Sequence, residues 1–360
     1  MSQDLQLFTT ILLELEMHGE ARSRRSLESL VTERLEAGPS AQDLQALLFA
    51  RALSRRLSPE PLDALNAYLR TQESRQPLPP PTDALPHVAL AGQLANALLC
   101  QHLAGLEDAV LLDIGPGSGN QGVELLRQLG QREDRPRRLT VVLVEPDAMS
   151  LRAAENNLLE AAEAYGFPVE VMGFQALVEE LDPSFWAVLA SLPGTLLVHA
   201  AFALHQVHGE QRDAVLRRLR MLEPRALVLV EPNSDHASED LEQRFRNCWR
   251  YFRRVFDLVD ALALPEPERD ALKLALGREI EDVLRGPEEH RARRHESVSG
   301  WWRRLQRAGF TRAALPAPSL PAPHPRVHPQ RYPGYAGLDF DGETLVAVLC
   351  ATPASRRRSW

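Results

Sequence analysis

The sequence predicts a doubly wound α/β fold, completed by a C-terminal β-hairpin and carrying a helical cap. Three observations support that expectation. From residue 88 onward, short runs rich in Val and Leu alternate with helical patterns, which implies a parallel sheet covered on both faces. One such run ends in LLDIGPGSGNQG, an acid followed by four glycines within eight residues. Near its end the chain reads YAGLDFDGETLVAVLCAT, two apolar runs joined by Asp341-Gly342, a two-residue hairpin signal.

The bulk numbers bound the possibilities. A chain of 360 residues accommodates one large α/β domain and an accessory piece of about 100 residues. The formal charge is −8, Lys273 is the single lysine, and the arginines of 244 to 254 and 291 to 307 alternate with acids and aromatics. No basic stripe results, so direct nucleic-acid binding is not expected. Cys100, Cys248 and Cys350 are too far apart for a C-x-x-C motif, which predicts a reducing compartment and no metal site. The N-terminal apolar stretch lacks a basic flank and contains Glu14 and Glu16, so a cytoplasmic protein without a membrane span is expected.

Taken in order, residues 4 to 70 repeat apolar positions at helical spacing, as in Leu7, Ile11, Leu15 and Leu44, Leu47, Leu48, with Ser58-Pro59-Glu60 as a helix start. The prolines between Gln76 and Pro86 break regular structure. A helix over HVALAGQLANALLCQHL leads to the strand AVLLDIG, a helix over 120 to 130, the strand LTVVLVEPD and a helix over 147 to 165. VEVMGF, TLLVHAAFAL and ALVLVEPN follow as strands, each separated by a helix. Residues 236 to 300 read as helical and arginine-rich, too long for a crossover, and are expected as a cap over the carboxyl edge of the sheet. The helix SGWWRRLQRAGF, a proline-rich loop from Leu315 to Pro333 and the hairpin complete the chain. The division is 1–86 helical cap region, 87–235 cofactor-binding core, 236–300 cap insertion and 301–360 core completion.

The glycine loop fits two patterns. Gly117-Ser-Gly119-Asn-Gln-Gly122 satisfies the dinucleotide spacing, and Asp113-Ile-Gly115-Pro-Gly117-Ser-Gly119 satisfies D-x-G-x-G-x-G. Both ligand types use backbone N–H groups at a helix start. A carboxylate at Asp113 suits the ammonium of a methionine tail and repels a pyrophosphate, which favours S-adenosylmethionine over a nicotinamide dinucleotide. Glu145 closes the second strand, where a carboxylate accepts hydrogen bonds from ribose hydroxyls; it also reads as an acid near a helix N-terminus. The expected cofactor residues are Asp113, Gly115, Gly117, Gly119 and Glu145, with Phe174 and Gln175 at the end of the third strand.

His199, His205 and His208 lie near the end of the fourth strand. His205 is the candidate general base for an acceptor hydroxyl, although a core histidine satisfied by backbone is the commoner use of such a residue. No N/D-P-P-Y element occurs there, which speaks against methylation of nucleobase or glutamine amino groups.

With these motifs in order, the chain resembles the GRAS family, known mostly from plant regulators and present also in bacteria. VLLDIGPGSGNQG stands at the family's V-H-I-I-D-F position, LVHAAFALHQV resembles V-N-x-x-F-x-L-H-x-L, and LVLVEPNSDH resembles V-x-V-x-E-x-E-x-N. RFRNCWRYFRRVFDLVDA and the stretch from GREIEDVLRG to WWRRLQRAGF follow the family's later motifs, and Arg358-Ser359-Trp360 sits where the family ends in S-A-W. The resemblance covers residues 88 to 360. It implies a methyltransferase-like Rossmann core with a cap built from the N-terminal helices and the 236–300 insertion. Bacterial members with an intact loop look like S-adenosylmethionine-dependent methyltransferases of small molecules, whereas plant members are regarded as regulators that have lost the loop. This sequence keeps Gly115, Gly117 and Gly119, and departs from the family in the prolines of 315–333.

Carried over by position, Glu231 and Asn233 would join His205 in acceptor chemistry. Arg244, Tyr251, Arg278, His295 and Trp301 would bind substrate. Glu279, Arg293 and Arg294 belong to the same stretch; such arginines more often form a salt-bridge cluster, and Trp301 and Trp302 on an apolar helix face are more often core. The expected function is methyl transfer to a small-molecule acceptor. The alternative is a non-catalytic GRAS-type module for small-molecule binding or regulatory protein interaction, and the cap leaves open a homodimer.

Overall fold

The computed structural model describes residues 3–37, 43–57, 62–76, 85–286, 291–315 and 324–354. The helix start at Ser58, most of the 76–86 break, residues 316–323 of the proline-rich loop and the terminal Arg358-Ser359-Trp360 lie outside the described residues. The chain divides into two compact units, one of Met1–Leu85 with Ser234–Glu296, the other of Pro86–Asn233 with Ser297–Trp360.

The second unit is the α/β core. Helix α5 (Pro86–Leu103) places proline at its first position, where the missing N–H would have no partner anyway. Strands β1 (Asp108–Ile114), β2 (Arg138–Val144), β3 (Val169–Phe174), β4 (Thr195–Ala201) and β5 (Ala226–Pro232) run parallel in the order 3-2-1-4-5. The apolar runs of β1 and β5 are buried almost end to end, because helices pack on both faces. Each buried Val or Leu stabilises by about 2 kcal/mol. The intervening helices are α6 (Asn120–Gly130), α7 (Ala148–Ala164), α8 (Pro183–Ser191) and α9 (Gly209–Met221). Local chemistry starts two of them: Asp147 caps α7 by accepting from Ser150 N–H at 2.8 Å, and Asp182 caps α8 ahead of Pro183.

Helix α12 (Val298–Arg307) leads through β6 (Phe310–Arg312) to three antiparallel strands, β7 (Val327–Tyr332), β8 (Tyr335–Phe340) and β9 (Glu343–Pro353). β9 pairs antiparallel with β5 and extends the sheet. The predicted hairpin is β8–β9, and Asp341 (φ 50°) and Gly342 (φ 80°) both adopt the left-handed conformation its turn demands. One expectation is corrected here: residues 327–332, read as loop, form the edge strand β7, with Pro329 opposite Leu338. Proline is tolerated on an edge because one side of the strand needs no donor.

The first unit contains α1 (Gln3–His18), α2 (Glu20–Glu36), α3 (Asp43–Leu57), α4 (Asp63–Arg75), α10 (Leu241–Asp260) and α11 (Glu266–Leu284). Its centre is aromatic: Phe8 and Phe49 meet Phe245 and Trp249 at ring separations of 4.7 to 5.5 Å. Gly277 lets α11 approach α3, since a Cβ there would lie 2.6 Å from Leu48 Cδ2. A second correction falls here. Residues 291 to 297, expected to be helical, are not helical, and Asp282 holds the segment's start by accepting from Ala292 N–H (3.0 Å) and Arg293 N–H (2.6 Å). Among the described residues no helix is long and apolar enough to cross a membrane.

Candidate functional site

The parallel strands bring the carboxyl ends of β1, β2, β4 and β5 to one edge of the sheet, where open α/β folds bind ligands. The glycine loop follows β1. Gly115, Gly117 and Gly119 all have positive φ, of 71°, 55° and 80°, yet they do different things. A Cβ on Gly115 would stand 2.6 Å from Ala203 Cβ, and one on Gly119 would stand 2.9 Å from Ala154 Cα in α7. These two glycines admit protein. At Gly117 nothing lies within 4 Å of the Cβ position, so this one faces open space.

Glu145 holds that open position. Its Oε2 accepts from Gly117 N–H at 3.2 Å, and its Oε1 accepts from Asp147 N–H at 3.1 Å. A carboxylate oxygen accepts more than one hydrogen bond, so Glu145 can tie the loop to the start of α7 and still receive a ligand's hydroxyls. Phe174 and Gln175 border the same corner: Phe174 O accepts from Glu145 N–H at 3.1 Å, and exposed Gln175 donates to Pro146 O at 3.4 Å. Gly122, which completed the dinucleotide spacing, has a packing cause instead. A Cβ there would meet Leu158 of α7 at 2.9 Å.

Asp113 has an interior partner that its sequence neighbourhood did not reveal. It is opposite His199 in the β1–β4 register, and His199 Nδ1 lies 2.8 Å from its Oδ1. Gln121 Nε2 donates to Asn96 Oδ1 at 3.3 Å and stands 3.0 Å from His199 Nε2. An amide nitrogen only donates, so Nε2 of His199 accepts and the ring proton sits on Nδ1, directed at Asp113.

His205 and Glu231 are also brought together. His205 Nδ1 lies 2.7 Å from Glu231 Oε2, while Glu231 Oε1 accepts from the N–H groups of Leu204 (3.0 Å) and His205 (3.3 Å). Glu231 is fully buried and His205 is 4% exposed. Buried Arg212 donates to the carbonyls of His205 and Val207 and lies over the Trp301 ring at 5.0 Å. Trp301 is part of the sheet core with Trp302, which leaves its ring no open face for a substrate. Asn233 is spent on protein contacts: its Oδ1 accepts from Val298 N–H at 3.0 Å, and its amide donates to Thr344 O at 3.3 Å. His208 stands at the start of α9, half-buried.

Phe202, which the sequence did not single out, follows β4 with φ 53°. Such a conformation costs a bulky residue about 1 kcal/mol or more, and it positions Ala203 against Gly115. The only signal in the sequence was the end of an apolar run.

The remaining candidates lie in the helical unit. Arg244 is buried and donates to the carbonyls of Val283 (3.1 Å), Glu239 (3.2 Å) and Ser238, a use that ties α10 to α11 instead of presenting the guanidinium to substrate. Tyr251 and His295 group around His236: His236 Nδ1 is 2.9 Å from His295 Nδ1, and Nε2 is 2.8 Å from Ser234 Oγ. Burial, and then Glu279, push the Tyr251 phenol up. Arg278 is exposed on α11, and Arg293 pairs with Glu279 at 3.5 Å.

The core is thus an open α/β module with a glycine-lined, carboxylate-braced corner at its carboxyl edge. The model of the GRAS domain family matches residues 6–319, and the chain belongs to that family. The GRAS family protein RAD1 of Lotus japonicus is 28% identical over 65% of this chain and 48% of its own length, and the Scarecrow-like transcription factor PAT1 of Arabidopsis thaliana is 24% identical over 81% and 68%. The chain spans about half the length of the first curated relatives it matches. The crystal structure of SCL7 from Oryza sativa has the same fold, with a TM-score of 0.75 and 21% identity over 98% of this chain and all of that one.

Proposed function

We propose that this GRAS protein is a ligand-binding regulatory module that holds S-adenosylmethionine or S-adenosylhomocysteine at its glycine loop without turning it over. The observation behind the reading is Gly117: a left-handed glycine with open space where a side chain would be, its N–H held by Glu145. A bound adenosyl ligand would lie along Gly115 to Gly119, with its ribose hydroxyls on Glu145. S-adenosylmethionine, when bound, would bring a sulfonium methyl group. The acid–base candidates support binding over catalysis, because His205 and Glu231 are buried and satisfied by each other and by backbone. A general base must reach the proton it removes. Regulation would then pass to protein partners in a cytoplasmic setting, which suits three buried free thiols.

Isothermal titration with S-adenosylhomocysteine, beside NAD, tests this on wild type, Gly117→Val and Glu145→Ala. Micromolar binding to wild type, lost in both variants and absent for NAD, is expected. Transfer of label from methyl-labelled S-adenosylmethionine to a hydroxylated or carboxylated acceptor would convert the reading into a methyltransferase. Absence of binding in a folded sample sinks the cofactor site altogether.

A further inference from the structure

We propose that the helical unit contains a separate oxyanion-binding cavity centred on Arg56 and Arg285. The cavity measures about 450 Å³, within the range of small-molecule sites. Leu15, Ala52 and Leu57 form its apolar wall, and Arg55, Arg56 and Arg285 its cationic one, with Glu20 and Glu281 also on the lining.

The charges do not cancel. Glu281 is paired with both Arg51 and Arg55, which leaves Arg56 and Arg285 against the single carboxylate of Glu20 on the lining. Among the described residues, Arg56 has a neutral partner: its Nη1 donates to Arg285 O at 3.0 Å. Buried Arg244 is likewise satisfied by carbonyl oxygens. Burial and then Arg291 make the Arg56 guanidinium easier to deprotonate, and burial, Arg291 and Arg56 pull Arg244 down to about 10. Arg56 and Arg244, both held on neutral acceptors, create a positive potential beside the cavity, which an entering oxyanion relieves.

The guanidinium forks suit the planar or tetrahedral oxygens of a carboxylate or phosphate, and the apolar wall suits a short hydrocarbon body. The ligand class is therefore a small organic oxyanion. This site involves none of the residues of the glycine loop.

Isothermal titration with inorganic phosphate, octanoate and the neutral analogue octanamide, at constant chloride, tests the proposal on the full chain. At least one anion is expected to bind, with octanamide at least tenfold weaker than octanoate if the carboxylate is the preferred form. Arg56→Gln and Arg285→Gln should each weaken binding about tenfold, with unchanged circular dichroism. Arg285 is exposed, so its substitution keeps the test valid if Arg56→Gln fails to fold. Slowed amide exchange over residues 52–57 and 281–286 on ligand addition is the second readout. Binding of phosphate alone supports a phosphorylated ligand, and of octanoate alone a carboxylate. The proposal is overturned if neither anion binds, if octanamide binds as well as octanoate and phosphate does not bind, or if both variants bind like wild type.

Discussion

His205 Nδ1 and Glu231 Oε2 lie 2.7 Å apart at the carboxyl edge of the sheet, and the other oxygen of Glu231 receives two backbone N–H groups of the turn that carries His205. The carboxylate therefore organises the turn after β4 from the end of β5. Replacing Glu231 with Gln substitutes a donor for one acceptor in a fully buried place. Unsatisfied buried groups of this kind cost about 2 to 3 kcal/mol, so urea unfolding of Glu231→Gln should show a loss of that order. A loss below about 0.5 kcal/mol would contradict the role assigned to the pair.

The glycines of the loop should separate by what stands opposite them. Gly119→Ala puts a methyl 2.9 Å from the backbone of α7, whereas Gly117→Ala meets nothing within 4 Å and bears only its positive φ. We expect thermal unfolding to show Gly119→Ala destabilised by about 2 kcal/mol or more and Gly117→Ala by about 1 kcal/mol. Equal losses would mean that packing does not distinguish the two positions.

His87, buried in α5 with no partner on Nδ1 among the described residues, is pushed down to about 4 by burial. Its folded value lies below the unfolded value, so the unfolded chain binds more protons between them. Stability from this residue is fully present above about pH 6.5 and is lost as pH falls toward 4, by about 3 kcal/mol in all. His87→Leu should flatten the part of the pH–stability curve between those limits. An unchanged slope in that variant would assign the dependence to other groups.

Local signals account for what could be read ahead of the structure. The parallel strands are uninterrupted apolar runs, and the hairpin turn is an Asp-Gly pair whose φ values are both positive. The glycine loop and Glu145 were legible because turn chemistry and strand ends depend on a few adjacent residues. Strand β7 was not, because its Pro329 and alternating polar residues argue against a strand unless the neighbouring β8 supplies the pairing. Nor was the non-helical course of 291 to 297, whose start rests on Asp282 of another element.

The sequence by itself determined the alternation of parallel strands and helices from α5 to β5, the hairpin, the family and the place of the glycine corner, since each depends on periodicity or contiguous motif. Tertiary structure decided what the polar residues at that edge do. Asp113 meets His199 across 86 positions, His205 meets Glu231 across 26 and Asn233 meets Val298 across 65. Whether a buried acid or imidazole is free for chemistry or committed to the fold depends on which distant hydrogen-bonding groups the chain brings to it, and spacing along the sequence does not carry that information.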